Sequence, residues 1–393
     1  MRLRHRSGRI VHLGCDLDLP PARDLGTLIA QLDTYANAVR ARLDVATLGI
    51  GLWLPPALAA LLAGNGRARI RLRAVLDAHG LEVVTLNGVR YDDNPTTQRD
   101  QPDWSDPARL EYTLDLARIL VDLLPDDTVR GAVSTLGLGR RDQWDADRER
   151  SCARILGRLS SGLAEIAWQT GRAVRVGFQP AAGHVLDSAG QTPAALANAD
   201  KDRLGVCLDL ADLACSWQDP ADAITRLADA GLSVVQARIA AALEAADPDT
   251  AADALSAYLD EGHPYPVTTP DGTYFDDLPQ ALAAALPGPW RIRCPAPLHT
   301  APAAALAATT EVWRTAVRQL MAGDTPGTEF LDVGAAGTWP PGRSTDVTVD
   351  AGQRHGWPTD PVTHADAIAA EYSYAHAELT GRGLSPPTTA RAA

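Results

Sequence analysis

The run Leu204-Gly205-Val206-Cys207-Leu208-Asp209, continuing into Leu210-Ala211-Asp212, reads as a short buried strand that ends in a carboxylate. It is apolar on successive residues rather than alternate ones, as in a parallel strand covered on both faces. The pattern recurs outward in both directions. Candidate strands occupy residues 10–17, 48–54, 81–86, 129–136, 173–179, 204–209, 233–239, 290–294 and 329–333. Amphipathic stretches lie between them, at 24–43, 106–124, 148–170, 221–230 and 310–321. Asp106-Pro107 reads as a capped helix start, and Gly171 and Gly231 as stops. Strands alternating with helices imply a parallel sheet with right-handed crossovers, which eight repeats close into a (β/α)8 TIM barrel. Nine candidates are one too many, so one is expected to be an inserted or edge strand. A doubly wound open sheet is the alternative, and it ordinarily shows a glycine-rich turn after its first strand. Gly14-Cys15-Asp16 does not supply one.

The chain has 393 residues, 46% of them hydrophobic, and carries a formal charge of −13. A nucleic-acid partner needs a basic surface, so none is expected. No apolar run reaches the roughly 18 residues of a membrane helix, and no signal-peptide pattern follows the basic start, so no membrane insertion is expected. The five scattered cysteines suit a reducing cytoplasm better than a disulfide framework. Lys201 is the only lysine. It lies in a charged turn rather than on a strand, which speaks against Schiff-base chemistry, and no Walker A loop occurs. Residues 1–380 are expected to form one barrel domain and 381–393 a disordered tail. Residues 334–361, rich in glycine, proline and tryptophan, are expected to cover the barrel mouth.

Barrel active sites gather at the C-terminal strand ends. The polar residues there are Asn87 on the third candidate strand, Gln179 on the fifth, Asp209 and Asp212 on the sixth, Arg238 on the seventh, Arg293 on the eighth and Asp332 on the ninth. Asp209 stands out, because an acid closing an apolar strand is costly unless paired or metal-bound. A helix N-cap, or an ion pair with an arginine such as Arg238, explains it equally. Asn87-Gly88 is also a common turn dipeptide. His184 and His299 lie beyond strand ends as acid/base candidates, and Trp339 in the late loop is a candidate pocket wall.

Several blocks resemble the metabolite traffic protein EboE family. They are Leu48-Gly49-Ile50-Gly51-Leu52-Trp53-Leu54, then Val84-Thr85-Leu86-Asn87-Gly88-Val89-Arg90-Tyr91, and the stretch from Pro102-Asp103-Trp104 to Ala117-Arg118-Ile119-Leu120. Ser134-Thr135-Leu136 and Arg238-Ile239-Ala240-Ala241-Ala242-Leu243 follow in the same order. The resemblance implies a xylose isomerase-like barrel in which acids and histidines on the late strands hold a divalent metal such as Mn or Mg. At those positions the chain departs from the family. Leu-Glu-Pro-Glu-Pro becomes Phe178-Gln179-Pro180-Ala181-Ala182, and Tyr-Asp-x-Cys-His becomes Leu208-Asp209-Leu210-Ala211-Asp212. Phe-His-Val-Pro becomes Ile292-Arg293-Cys294-Pro295, and Glu-x-Glu becomes Asp332-Val333-Gly334, so Asp209 alone is retained.

Arginine cannot ligate a metal, and glutamine replaces a carboxylate poorly. The expectation is therefore a mouth without a metal or other cofactor, where Asp209 pairs with Arg238 or Arg293 and a neutral or anionic polar small molecule binds. Asp209, Asp212 and Gln179 are the candidate catalytic residues. Asn87, Arg238, Arg293, His184 and Trp339 are the candidate ligand contacts. The implied role is metabolite handling or export in a secondary-metabolite pathway, with other proteins of that pathway as partners. The alternative is a divalent-metal-dependent sugar isomerase or epimerase with a rearranged site.

Overall fold

The structure, a computed structural model, describes residues 1–17, 19–91, 100–259, 265–334 and 361–386. Its strands, in chain order, are β1 (Arg2–Arg4), β2 (Ile10–Asp16), β3 (Leu48–Trp53), β4 (Leu81–Gly88), β5 (Arg130–Leu136), β6 (Ala173–Gln179) and β7 (Leu204–Asp209). There follow β8 (Val234–Ile239), β9 (Ala241–Ala245), β10 (Val267–Thr268), β11 (Tyr274–Phe275), β12 (Trp290–Ala296), β13 (Ala307–Ala308) and β14 (Phe330–Val333).

Eight of them close a parallel barrel. The order runs β2-β14-β8-β7-β6-β5-β4-β3, and β3 pairs back with β2. The short β1 adds to the outside of β2, antiparallel. The barrel strands are almost wholly buried, as their unbroken apolar runs demand; in β7 every residue is buried. Helices surround them. The helix Pro107–Leu123 starts where Asp106 accepts from the amide of Ala108, with proline at its first position. Ala146–Thr170 begins at Asp145 and ends at Gly171, whose φ of 69° terminates the helix in the left-handed region.

The surplus strand is 290–294. It was expected as the eighth barrel strand but belongs elsewhere: β14, read above as the ninth candidate, closes the barrel. β12 lies in a separate antiparallel sheet, ordered β11-β10-β12-β9-β13, that the chain builds between β8 and β14. This accessory sheet follows directly on the C-terminal end of β8 and packs on the helix Leu210–Cys215 that follows β7. Arg291 and Arg293 sit on one face of β12, where Trp290, Ile292 and Cys294 are buried on the other.

The helix Pro361–Gly381 returns to the barrel. His364 Nε2 bonds the carbonyl of Leu17 and the Tyr372 hydroxyl donates to that of Leu13. The tail expected to begin at Gly381 is held at its start, with Leu384 buried and Ser385 paired with Arg4. The expected mouth cover at 334–361, with Trp339 and Trp357, lies outside the described residues except for Gly334 and the helical position 361. All five cysteines are unpaired and buried. No described helix is long and apolar enough to cross a membrane.

Candidate functional site

At the C-terminal end of the barrel an alternating chain of charges crosses four strands and the accessory sheet. Asp16, ending β2, pairs with Arg238 Nη2 at 2.7 Å. Arg238, on β8, brings Nη1 within 3.7 Å of Asp209 Oδ2. Asp209 Oδ2 accepts from Arg293 Nη2 at 2.8 Å, and Arg293 Nε donates to Asp212 Oδ1. Asp212 Oδ2 in turn accepts from the Gln179 side-chain amide at 2.7 Å. Arg293 therefore reaches this end of the barrel from β12 and not, as expected, from a barrel strand.

Asp209 fills both of the roles that its position allowed. Its Oδ1 caps the helix Leu210–Cys215, accepting from the amides of Ala211 at 2.9 Å and Asp212 at 3.2 Å. Its Oδ2 is left for the arginines. That division fixes the carboxylate, whose side chain is wholly buried. Burial pushes the Asp212 carboxyl above its usual range, with Arg293 opposing and the Asp209 charge adding to the rise. Arg293 is held still more firmly protonated than an ordinary arginine: desolvation acts against its charge, but the two carboxylates outweigh it.

The other candidates divide. Asn87 makes a local turn, accepting from the amide of Val89 at 3.0 Å and from the Ser134 hydroxyl at 3.4 Å. His184 is largely buried, with Nε2 at 3.2 Å from Asp100 Oδ1. Burial works against its charge, yet Asp100 and the more distant Asp212 raise its pKa. His299 stands apart, tied through Nδ1 to the buried Glu371 at 2.7 Å. Lys201 bonds the carbonyl of Ala230 in the turn before β7, at the opposite end of the barrel.

Two residues escaped or exceeded the sequence reading. Asp16 was not singled out, although it ends a barrel strand just as Asp209 does. Asp332 was seen only as a strand-end acid, yet it reaches across the barrel interior. Its Oδ2 accepts from the Thr85 hydroxyl at 2.9 Å and from the Gln236 amide. Room for it exists because β2 and β3 carry glycine there: a Cβ on Gly14 would sit 2.0 Å from Asp332 Oδ1, and one on Gly51 3.2 Å from Oδ2. Burial pushes the Asp332 carboxyl up to about 6, with the Thr85 hydrogen bond opposing and the Asp16 charge adding.

The cavity lined by Pro180, Ser188, Asp209, Asp212 and Ser216 measures about 10 Å³, room for about one water. A larger open groove of about 550 Å³ lies where Arg73 and Arg172 satisfy the carbonyl of Leu124 at the end of an outer helix. It belongs to the N-terminal face of the barrel, away from the strand ends where barrel chemistry collects. Cys207 and Cys215 are buried near the mouth, and burial pushes the Cys215 thiol up to about 12 and that of Cys207 well above its ordinary value.

A divalent metal, which the EboE-like resemblance implies, does not fit these residues as they stand. Among the described residues no group of three or more His, Cys, Asp or Glu side chains is disposed to hold an ion. The two carboxylates that approach each other already share a guanidinium.

No protein-family model matches the chain, and no curated protein does either. Solved structures match along nearly its whole length. A putative sugar phosphate isomerase/epimerase from Anabaena variabilis is 14% identical, with 95% of this chain and 99% of that chain covered and a TM-score of 0.53. A xylose isomerase-like TIM barrel protein from Mycobacterium smegmatis, in complex with magnesium, is 13% identical, with 96% and 94% covered and a TM-score of 0.49. The likeness is one of fold. The chain has the fold of a closed (β/α)8 barrel, with an accessory antiparallel sheet that includes β12 inserted between β8 and β14.

Proposed function

We propose that the protein is a metabolite-handling barrel that binds a polar small molecule at its C-terminal mouth without a metal. The observation that carries this reading is the Arg293 guanidinium seated between Asp209 and Asp212. A fixed organic cation there removes the vacancy an ion needs and supplies hydrogen-bond donors instead. Arg293 spends Nε and Nη2 on the two carboxylates, which leaves Nη1 for an acceptor oxygen of the ligand. Asp212, Gln179, Arg238 and His184 stand beside it as further polar contacts, suiting a hydroxylated molecule. Among the described residues the cluster holds Asp16, Asp209, Asp212 and Asp332 against two arginines, which favours a neutral ligand over an anionic one. The order and spacing of the EboE-like blocks support a place in a secondary-metabolite pathway or its export, in the cytoplasm.

The competing reading, a metal-dependent sugar isomerase or epimerase, requires Asp209 and Asp212 to exchange Arg293 for an ion. Elemental analysis after exhaustive dialysis, combined with thermal melting against a panel of sugars, polyols and sugar acids, decides between them. We expect no stoichiometric divalent ion and a neutral polyol or sugar that raises the melting temperature of the wild type but not of Asp212→Asn. Near one ion per chain, lost in Asp209→Ala, would overturn the metal-free reading.

A further inference from the structure

The helix Ala146–Thr170 has 25 residues and turns one side to the core, burying Cys152, Ile155, Leu159, Leu163 and Ile166. Its opposite side carries a second periodic line: Arg150, Arg154, Gly157, Ser161, Ala164 and Trp168. The spacings alternate four and three residues, as along the seam of a coiled coil. Five of the six are exposed and Ala164 is half-buried. Trp168 closes the line with 87% of its surface in solvent, and tryptophan is a residue that interfaces collect and free surfaces do not. Charge is graded along the same side. Arg150, Arg154 and Arg158 stand in its first half, and Glu165 stands in the second, beside Ala164. Bonds within the helix occupy these groups only lightly. Arg150 pairs with Asp147, Arg154 Nη2 donates to the Ser151 hydroxyl at 3.1 Å, and the Gln169 amide donates to Glu165 at 3.0 Å. All are solvent-exposed, where such contacts are weak and easily exchanged.

We propose that this face docks a second copy of the chain, the two helices running antiparallel about a two-fold axis at the level of Leu159. The line is symmetric about that level, so antiparallel pairing sets Arg150 opposite Trp168, Arg154 opposite Ala164, and Gly157 opposite Ser161 of the second copy. Arg150 then lies on an indole face, and Arg154 reaches Glu165. The helices can approach closely between them, since a Cβ placed on Gly157 would meet nothing within 4 Å. Each contact occurs twice, as a two-fold interface requires. Parallel pairing would instead set arginine on arginine and tryptophan on tryptophan. One contact opposes the dimer: Arg158 flanks the seam near the axis and meets its own counterpart. A single helix pair, about 37 Å long at 1.5 Å per residue, covers less than the roughly 800 Å² per partner of a standard interface, so the association is weak, on the order of micromolar. The proposal is independent of what the barrel mouth binds.

Sedimentation equilibrium of the full chain, over about 1–300 µM to bracket a micromolar Kd, tests it. The wild type should dimerise reversibly. Trp168→Ala and Glu165→Arg should each weaken the dimer at least roughly tenfold, while Arg154→Glu/Glu165→Arg, which exchanges the charges across the axis, should recover most of that loss. Arg158→Ala should tighten it by removing the like-charge contact. The substituted side chains all face solvent, so the fold itself is not at stake. A wild type that stays monomeric over the whole range overturns the proposal. So does a dimer indifferent to both Trp168→Ala and Glu165→Arg, which would place the interface on another face. A double variant no better than Glu165→Arg alone overturns the antiparallel register and with it the proposal.

Discussion

Asp332 is the residue whose surroundings least resemble what its type prefers. A carboxyl held at about 6 in the fold, against an ordinary 3.8, binds its proton more tightly folded than unfolded. Its contribution to stability is therefore complete below about pH 4 and disappears as the pH rises through 6. At neutral pH the ionised side chain is a burden, worth roughly 2–3 kcal/mol for a shift of this size. Asp332→Asn keeps an acceptor for Thr85 and Gln236 without the charge. Urea unfolding at pH 8 should show the variant more stable than the wild type by about 2 kcal/mol, with the advantage gone at pH 4. An advantage that is the same at both pH values would mean that the charge is not the cause. Asp209 is the contrasting case, because the helix amides and Arg293 receive its charge from both sides.

At the scale of the element, β2 and β3 are shaped around a side chain neither of them owns. Gly14 and Gly51 leave room where Asp332 passes: a Cβ on Gly14 would overlap its carboxylate, and one on Gly51 would press against it. Gly14→Ala should cost about 1–3 kcal/mol, the usual penalty for overfilling a packed interior. In Gly14→Ala/Asp332→Ala the effects of the two substitutions should depart from a simple sum, because removing the carboxylate removes the clash; strict additivity in denaturant unfolding would show that they do not meet. The barrel strands themselves were legible in the sequence because a strand buried on both faces must be apolar throughout, and 204–209 shows that plainly. The accessory sheet was not. Ala241-Ala242-Leu243-Glu244-Ala245 has the composition of a helix, and β10, β11 and β13 are only two residues long, too short to show any period. The site followed suit. Asp209 announced itself by ending an apolar strand, and its pairing with arginine followed from the cost of burying it. That Arg293 comes down from an inserted sheet, and that Asp332 spans the interior through two glycines, depends on contacts between residues 81 or more positions apart, which no local pattern records.

On the scale of the whole molecule, one detail of the topology bears on how the protein comes into being. The strand that completes the ring, β14, pairs on one side with β2, near the beginning of the chain, and on the other with β8, from which the entire accessory sheet separates it. Until Phe330–Val333 has left the ribosome, β2 and β8 are open edges, with unpaired amides and carbonyls that invite other strands. Loop closure over so long a stretch of chain is also slow compared with the neighbour-to-neighbour pairing of β3 through β7. Pulsed hydrogen exchange during refolding should therefore find the amides of β4, β5 and β6 protected first, with those of β14 and the facing side of β2 protected together in the last phase. Protection of β2 and β14 ahead of β5 would refute this order. For the cell, the nascent chain spends most of its synthesis as an open sheet, and its exposure to misassembly ends only when the final strand slots in.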